Sequence, residues 1–441
     1  MGETMEENRP FLWRRILKNV LRALLLVALL AAAAYALLSV MATQREKAVR
    51  ARWTQEGQSL EVLVAGLPDT KANATALALE EAANRLGLEK GKKGEPWTAI
   101  ALPLSDYLKT ELEKTGPPAG APPEPVAAFL RDQAPLISEA RTALLDGPPP
   151  VWIESNKRLY ESPLPNLLQI ISLEKILTAD ALAALSRGDQ DAALKDLEAG
   201  WRLGQALSTR PELISSLVAI GSLRYPVALL RLVDQAGPGW RERLDSCSPM
   251  SDLMRSYAFE AAAMLELGDL GSAGSPPIFS RRLEGFLARP YLRLGLAGAA
   301  DTMAQLVQIA RAAGPCPEGL SPKMVETINA IPKWNLVAKL AVPNIASSLG
   351  RGYRLQLDLE LTQKVLLLKE ARDKNGGTWP DAVPGIESSI CPNGAWSYTR
   401  SSVRVTLAYN RTPRFPDVKP SVLVLPLRYE EVIDGKGGVR R

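Results

Sequence analysis

Histidine is absent from all 441 residues. That absence removes Ser-His-Asp and Cys-His catalysis, histidine-ligated zinc or haem, and any histidine phosphorelay, because each needs an imidazole to move a proton or hold a metal. Cysteine is nearly as scarce: Cys247, Cys316 and Cys391 stand apart with no C-x-x-C pair, so no metal-ligand set is present. Glycines cluster in GDLGSAG and LRLGLAGAAD, but neither follows a strand in a G-x-G-x-x-G or G-x-x-x-x-G-K-[ST] pattern. Nucleotide binding therefore has no basis, and Gly295 and Gly298 read as sites of close helix packing. There is no long basic tract, and a net charge of +5 is small for this length, so no nucleic-acid partner is called for. No cofactor and no metal are expected.

Among the apolar residues, which make up 46% of the chain against 6% aromatics, Leu and Ala dominate, and both favour helix. The densest run is Val20 to Ala42, with no charge between Arg22 and Arg45. That gives about 20 apolar residues, enough to cross a bilayer core. It has no polar face at helical spacing, and it exceeds the h-region of a cleavable signal peptide, so it reads as an uncleaved signal anchor. Arg9, Arg14, Arg15, Lys18 and Arg22 precede it, and Arg45, Lys47, Arg50 and Arg52 follow. The slight N-terminal excess favours a cytoplasmic N-terminus and a translocated C-terminal region.

The chain divides into residues 1–19, a cytoplasmic segment; 20–42, the transmembrane anchor; 43–114, a membrane-proximal helical region opening in a charged stalk with Trp53; and 115–125, the Pro-rich linker TGPPAGAPPEP. Residues 126–350 form a helical domain, and 351–441 a helix plus sheet. Ser105 reads as the cap of SDYLKTELEK, and Val126 to Leu145 as a helix interrupted at Pro135. The best pattern runs from Ser172 to Gly221: one helix with Leu173, Ile176, Leu177, Ala181, Ala184 and Leu185 on a face, a break at Arg187-Gly188-Asp189, a second helix over 190–207, and a third started by Thr209 with Pro211 at its first position. Short connections make these antiparallel neighbours. Pro226 is expected to kink the third, Ser251 to Leu267 to form another helix, and Pro290 to begin the next. That next helix carries Arg293 and Asp301, which argues against a second span. Gly352 to Lys374 reads as a helix ended by Asn375 or Gly376 in left-handed conformation, followed by the strands AWSYTR, VRVTLAYN and SVLVLPLRYEE. The fold class is mainly α: an N-terminal transmembrane helix, a central antiparallel helical layer and a small C-terminal α+β unit. Cys316 and Cys391, in the loop-like GPCPEG and ICPNG, are the favoured disulfide pair, while three free thiols fit the sequence equally well.

Two stretches resemble known families. LAALSRGDQDAALKDLEAGWRLGQALSTRPELISSLVAIG looks like a single tetratricopeptide-type hairpin. With the GGTWPDAV tail it is similar to uncharacterised bacterial envelope proteins that have one N-terminal span, a helical midsection and a C-terminal helix leading to a β-hairpin. Gly376, Gly377, Trp379 and Pro380, followed by Cys391-Pro392 and Trp396-Ser397-Tyr398, resemble the globular part of type II secretion pseudopilins. The likeness covers roughly residues 126–235 and 350–412, and the pseudopilin processing site before the apolar helix has no counterpart here. The resemblance implies a bacterial inner-membrane location with a periplasmic C-terminal region, and no known activity.

Candidate reactive groups are few. A Ser-Lys pair is possible in principle, but no S-x-x-K sits at a convincing helix start. Glu80-Glu81, Asp189 with Asp191, and Glu430-Glu431 are acid pairs better explained as solvated faces, and Asp189 as a helix cap. Asn73-Ala74-Thr75 matches a glycosylation sequon inside a helical pattern. The basic, Trp-bearing segment 332–354, with Lys333, Trp334, Lys339 and Arg351, fits either an interfacial helix or a buried one interrupted at Pro343. No catalytic, cofactor-binding or metal-ligating residue is therefore assigned. The expected function is a non-catalytic, single-pass envelope scaffold or interaction module with the lipid bilayer and an unidentified protein as partners. The alternative is an accessory part of a secretion or pilus-like machine, and an envelope hydrolase comes last.

Overall fold

The computed structural model describes residues 9–57, 59–88, 96–154, 159, 163–269, 282–316, 320–391, 394–411 and 426–433. It is 71% helical with one small antiparallel sheet, so the chain is mainly α. The described elements run α1 (Arg9–Gln55), α2 (Leu60–Ala65), α3 (Ala74–Arg85), α4 (Pro96–Leu112), α5 (Glu124–Asp132), α6 (Ala134–Asp146), α7 (Leu167–Ser186), α8 (Gln190–Ser208) and α9 (Leu213–Leu232). They continue with α10 (Trp240–Ser246), α11 (Pro249–Asp269), α12 (Arg282–Ala313), α13 (Leu320–Asn329) and α14 (Leu336–Lys374). Three strands close the chain: β1 (Trp396–Arg400), β2 (Arg404–Tyr409) and β3 (Arg428–Val432).

Local chemistry explains the best-patterned hairpin. Gly188 takes a left-handed φ of 80° between α7 and α8, where a β-carbon would be strained. The Asp189 carboxylate then accepts from Ala192 N–H and caps α8, as its spacing predicts. Further on, a β-carbon at Gly204 would meet Leu223 at 2.7 Å, so glycine is what lets α8 and α9 approach.

Several local expectations give way to tertiary context. Residues 43–55 are no stalk: α1 continues through them unbroken, and Ala42, Glu46, Val49 and Trp53 are buried. Ser105 lies in the middle of α4, which starts at Pro96. α9 starts at Leu213, two residues after Pro211. Pro290 lies inside α12. The Asn73 side chain is engaged, accepting from Ala76 N at 3.0 Å and Val151 N at 3.1 Å and donating to Pro149 O at 2.8 Å. Residues 421–425 of the last expected strand lie outside the described residues, and β3 starts at Arg428.

The Pro-rich segment 115–125 is pinned at its start and its middle. Glu430 N donates to Thr115 O at 2.9 Å, and Tyr107 Oη donates to Gly120 O at 3.0 Å. Buried residues on either side of it, from Val49 to Leu366, belong to one hydrophobic core.

α14 joins that core to the C-terminal unit. The segment 332–354 and the helix expected over 352–374 form a single helix of 39 residues, capped by the Asn335 carboxamide on Ala338 N, so the division expected at 350/351 falls inside it. Leu355, Leu359 and Leu366 face the bundle. Leu357, Leu361, Val365 and Leu368 face a second core with Trp379, Trp396, Val405, Leu407 and Tyr429. Each such side chain contributes about 1.5–3 kcal/mol of gross burial energy, which gives a small three-stranded sheet the cover it needs. The strands pair antiparallel in the order β1-β2-β3, with Tyr398 opposite Leu407 and Leu407 opposite Tyr429. Gly376 at φ 66° turns the chain out of α14. Cys316 and Cys391 are disulfide-bonded, and Cys247 is free.

Candidate membrane-proximal site

The first half of α1 is an apolar helix exposed on every side and long enough to cross a membrane. Large side chains from Leu21 to Leu30 are about 60% exposed. Cover starts at Tyr35, Leu38 and Ser39 and is complete at Ala42, Glu46, Val49 and Trp53, a stripe at helical spacing. Leu37, Val40 and Met41, on the other face, stay exposed.

α12 supplies the cover, and ion pairs fix its direction. Arg293 Nη2 meets Glu46 at 2.6 Å, Arg52 meets Asp301 at 3.0 Å and Arg311 meets Glu56 at 3.2 Å, while Arg45 also pairs with Asp301. Numbers rise together on both helices, so they run parallel. Asp301, which argued against a second span, is 4% exposed and held between two arginines of α1. α14 runs parallel to α12 as well, since Asn335 Nδ2 donates to Gly295 O at 3.1 Å and Tyr353 Oη to Ala310 O at 3.2 Å. Three long helices thus share one end, the end where α1 becomes apolar all round.

A groove of about 440 Å³ opens there, lined by Met41 and Arg45 of α1, Leu294 and Gly298 of α12, and Ile331 and Trp334 before α14. Gly298 lets Asn335 sit against α12, because a β-carbon would lie 2.5 Å from Asn335 Nδ2. The Trp334 ring is half-exposed and edge-on to Tyr291, with centroids 6.2 Å apart. Tyr291 Oη donates to the Trp334 carbonyl. Leu336, Leu340, Lys333 and Lys339 point outward beside it.

The densest buried charge lies elsewhere and was not visible in the sequence. Asp358 of α14 is fully buried with Arg231 at 3.3 Å, Arg224 at 3.3 Å and Arg354 at 3.5 Å. Arg231 also donates to Thr362 Oγ1 and Asp358 O, at 2.8 and 2.9 Å. Lys369 donates to the carbonyls of Arg231 and Val233, at the C-terminal end of α9, and burial pushes its ammonium down to about 8. This cluster clamps α9 to α14.

Acids and a serine do meet, though not in the pairs the sequence singled out. Asp189 caps α8, and Glu430 pairs with Arg404 and Arg428, while Glu431 accepts from Tyr429. Asp180 and Asp196 converge instead, each 2.5 Å from Arg141, which bridges them. Burial and the neighbouring Asp180 push Asp196 up to about 8. Lys175 donates to Ser105 at 3.4 Å, with burial lowering the Lys175 pKa. Both residues lie in helix interiors, where backbone N–H groups belong to the helix ladder and are not free to form an oxyanion hole. Glu174, fully buried and pushed up to about 8 by burial, has an Oε2 without a hydrogen-bond partner.

Comparison with family models, with curated proteins and with solved structures found no match to this chain.

Proposed function

We propose that the chain is a single-pass, membrane-anchored envelope protein whose helical domain, outside the cytoplasm, acts as a scaffold or interaction module. The observation that carries this reading is α1: one unbroken helix of 47 residues, apolar and exposed in its first half and part of the domain core in its second. A hinge would let the domain drift, whereas this continuous helix holds it at a set height above the bilayer, as suits a platform for another protein. The Cys316–Cys391 disulfide supports the orientation, since such bonds persist outside the reducing cytosol. A reporter fused after Arg441 tests the side: activity of a phosphatase is expected, and fluorescence of a cytosol-dependent reporter overturns it. Purification of the full chain in mild detergent tests the role. A stoichiometric partner is expected, and repeated recovery of the chain alone counts against a scaffold.

A second reading, an accessory part of a secretion or pilus-like machine, draws on the unit in which α14 leads through Gly376 and Gly377 into a disulfide-stapled three-stranded sheet. Removing residues 378–441 then impairs export of a substrate. Unchanged secretion removes this reading and leaves the first standing.

A further inference from the structure

The exposed apolar surface of α1 does not stop where the domain begins. Val40 and Met41 are its last large exposed apolar residues, 54% and 44% accessible, and Met41 is already a wall of the groove. Across that groove stand Trp334 and, one residue beyond Asn335, Leu336 at 59% and Leu340 at 76%. Few other large apolar side chains on the domain are as exposed as Leu340, and these two are a helical turn apart on one side of α14. Lys333 and Lys339 flank them, and Tyr291 backs the indole.

Height decides what covers this surface. The groove is lined from Met41 to Ala48 on α1, seven residues or about 10 Å of rise. The headgroup layer of a bilayer is about 5–8 Å thick on each side of the hydrocarbon. If hydrocarbon ends at Val40, the groove mouth, Trp334, Leu336 and the two lysines lie in that layer. Trp and Tyr prefer this depth, having an apolar ring and a polar edge, and lysine ammoniums there meet lipid phosphates.

We infer that the corner formed by the start of α14 and the Tyr291–Trp334 pair is a second membrane contact, which seats the domain in the headgroup layer of the bilayer that α1 crosses. This rests on the anchor reading above and adds to it. α1 alone fixes one axis and leaves rotation and tilt free. A second contact beside that axis removes both, so the distal face, with the β-sheet, is presented to partners in one attitude. The occupant is lipid because the patch is continuous with the lipid-facing surface of α1 and carries positive charge where anionic headgroups lie.

Depth measurement tests this. Nitroxide labels are placed by Leu336→Cys and Leu340→Cys in the full chain carrying Cys247→Ser, in nanodiscs of phosphatidylethanolamine and phosphatidylglycerol. Leu26→Cys reports the span, and Val403→Cys, 61% exposed in the β1–β2 turn, reports water. The ratio of collision with oxygen to collision with a nickel chelate at position 336 is expected several-fold above that at 403 and below that at 26. Trp334→Ser with Lys333→Glu and Lys339→Glu is expected to move it toward the value at 403. A wild-type ratio at 336 and 340 equal to that at 403 overturns the second contact and leaves the anchor intact. A water-like ratio at 26 overturns both. Dipolar broadening between labels at 336 would mean that a second copy occupies the patch, which also overturns a lipid contact.

Discussion

α1 and α9 each contain an 18-residue window apolar enough to cross a bilayer, yet the window in α1 is wholly uncovered while 78% of that in α9 is buried. What separates them is the company they keep. α9 carries Arg224 and Arg231 on a face turned to Asp358 of α14, and it also packs on the α7–α8 hairpin. The apolar side chains of α1 from Leu21 to Leu30 stay exposed, and α12 faces the helix only from about Tyr35 onward. Apolarity alone therefore does not say whether a helix meets lipid or protein. The buried charges on its neighbours do.

The comparison breaks most severely at Asp358. Asp358→Ala takes the carboxylate from buried Arg224 and Arg231, and the unfolding free energy of the full chain in detergent should fall by about 3–5 kcal/mol, read by circular dichroism in urea. Adding Arg224→Met and Arg231→Met should recover much of the loss. No recovery would mean that the cluster is not what holds α9 inside. The next effect contrasts the two halves of α1. Trp53→Ala removes a fully buried side chain and should cost about 3–5 kcal/mol, whereas Leu26→Ala on the uncovered half should change stability by less than about 0.5 kcal/mol.

Smaller effects sharpen the picture of the two cores joined by α14. The disulfide closes 75 residues of chain, and Cys316→Ser with Cys391→Ser should lower stability by about 2–4 kcal/mol without unfolding the helical bundle. Last is a pH effect at Glu174. Its folded pKa of about 8 lies above the unfolded 4.5, so the folded state holds the extra proton between those values. Stability contributed by that proton is full below about 4.5 and lost as pH rises through 8, on the order of 1 kcal/mol per unit. Glu174→Gln should flatten this slope in unfolding measured from pH 5 to 8, and an unchanged slope would assign it to another group.

Features written in neighbouring residues were legible. Asp189 capping α8, the Gly188 and Gly376 turns and the apolar run of α1 all follow from contacts within a few positions, where periodicity and capping rules act. The start of α14 was not. Pro343 and the basic residues around Trp334 looked like a break, because nothing local reveals that Asn335 caps the helix while bonding Gly295, 40 residues away. The charge at Asp358 was hidden for the same reason, its partners on α9 being more than 120 positions distant. The patch on α14 was half legible: composition suggested an interface, and only the parallel run of α1, α12 and α14 brought it to the end of the domain where α1 becomes apolar all round.

By itself the sequence determined the helical class, the long apolar run of α1, the turns and the absence of imidazole chemistry, since each depends on residue type and short spacing. The tertiary structure decided which apolar helix is covered, that α1 enters the core without a stalk, that Cys316 pairs with Cys391, and where the basic corner of α14 stands. Those outcomes depend on free energies shared between distant segments: buried charge must find its counter-charge, and apolar faces must find one another, before any of them is settled.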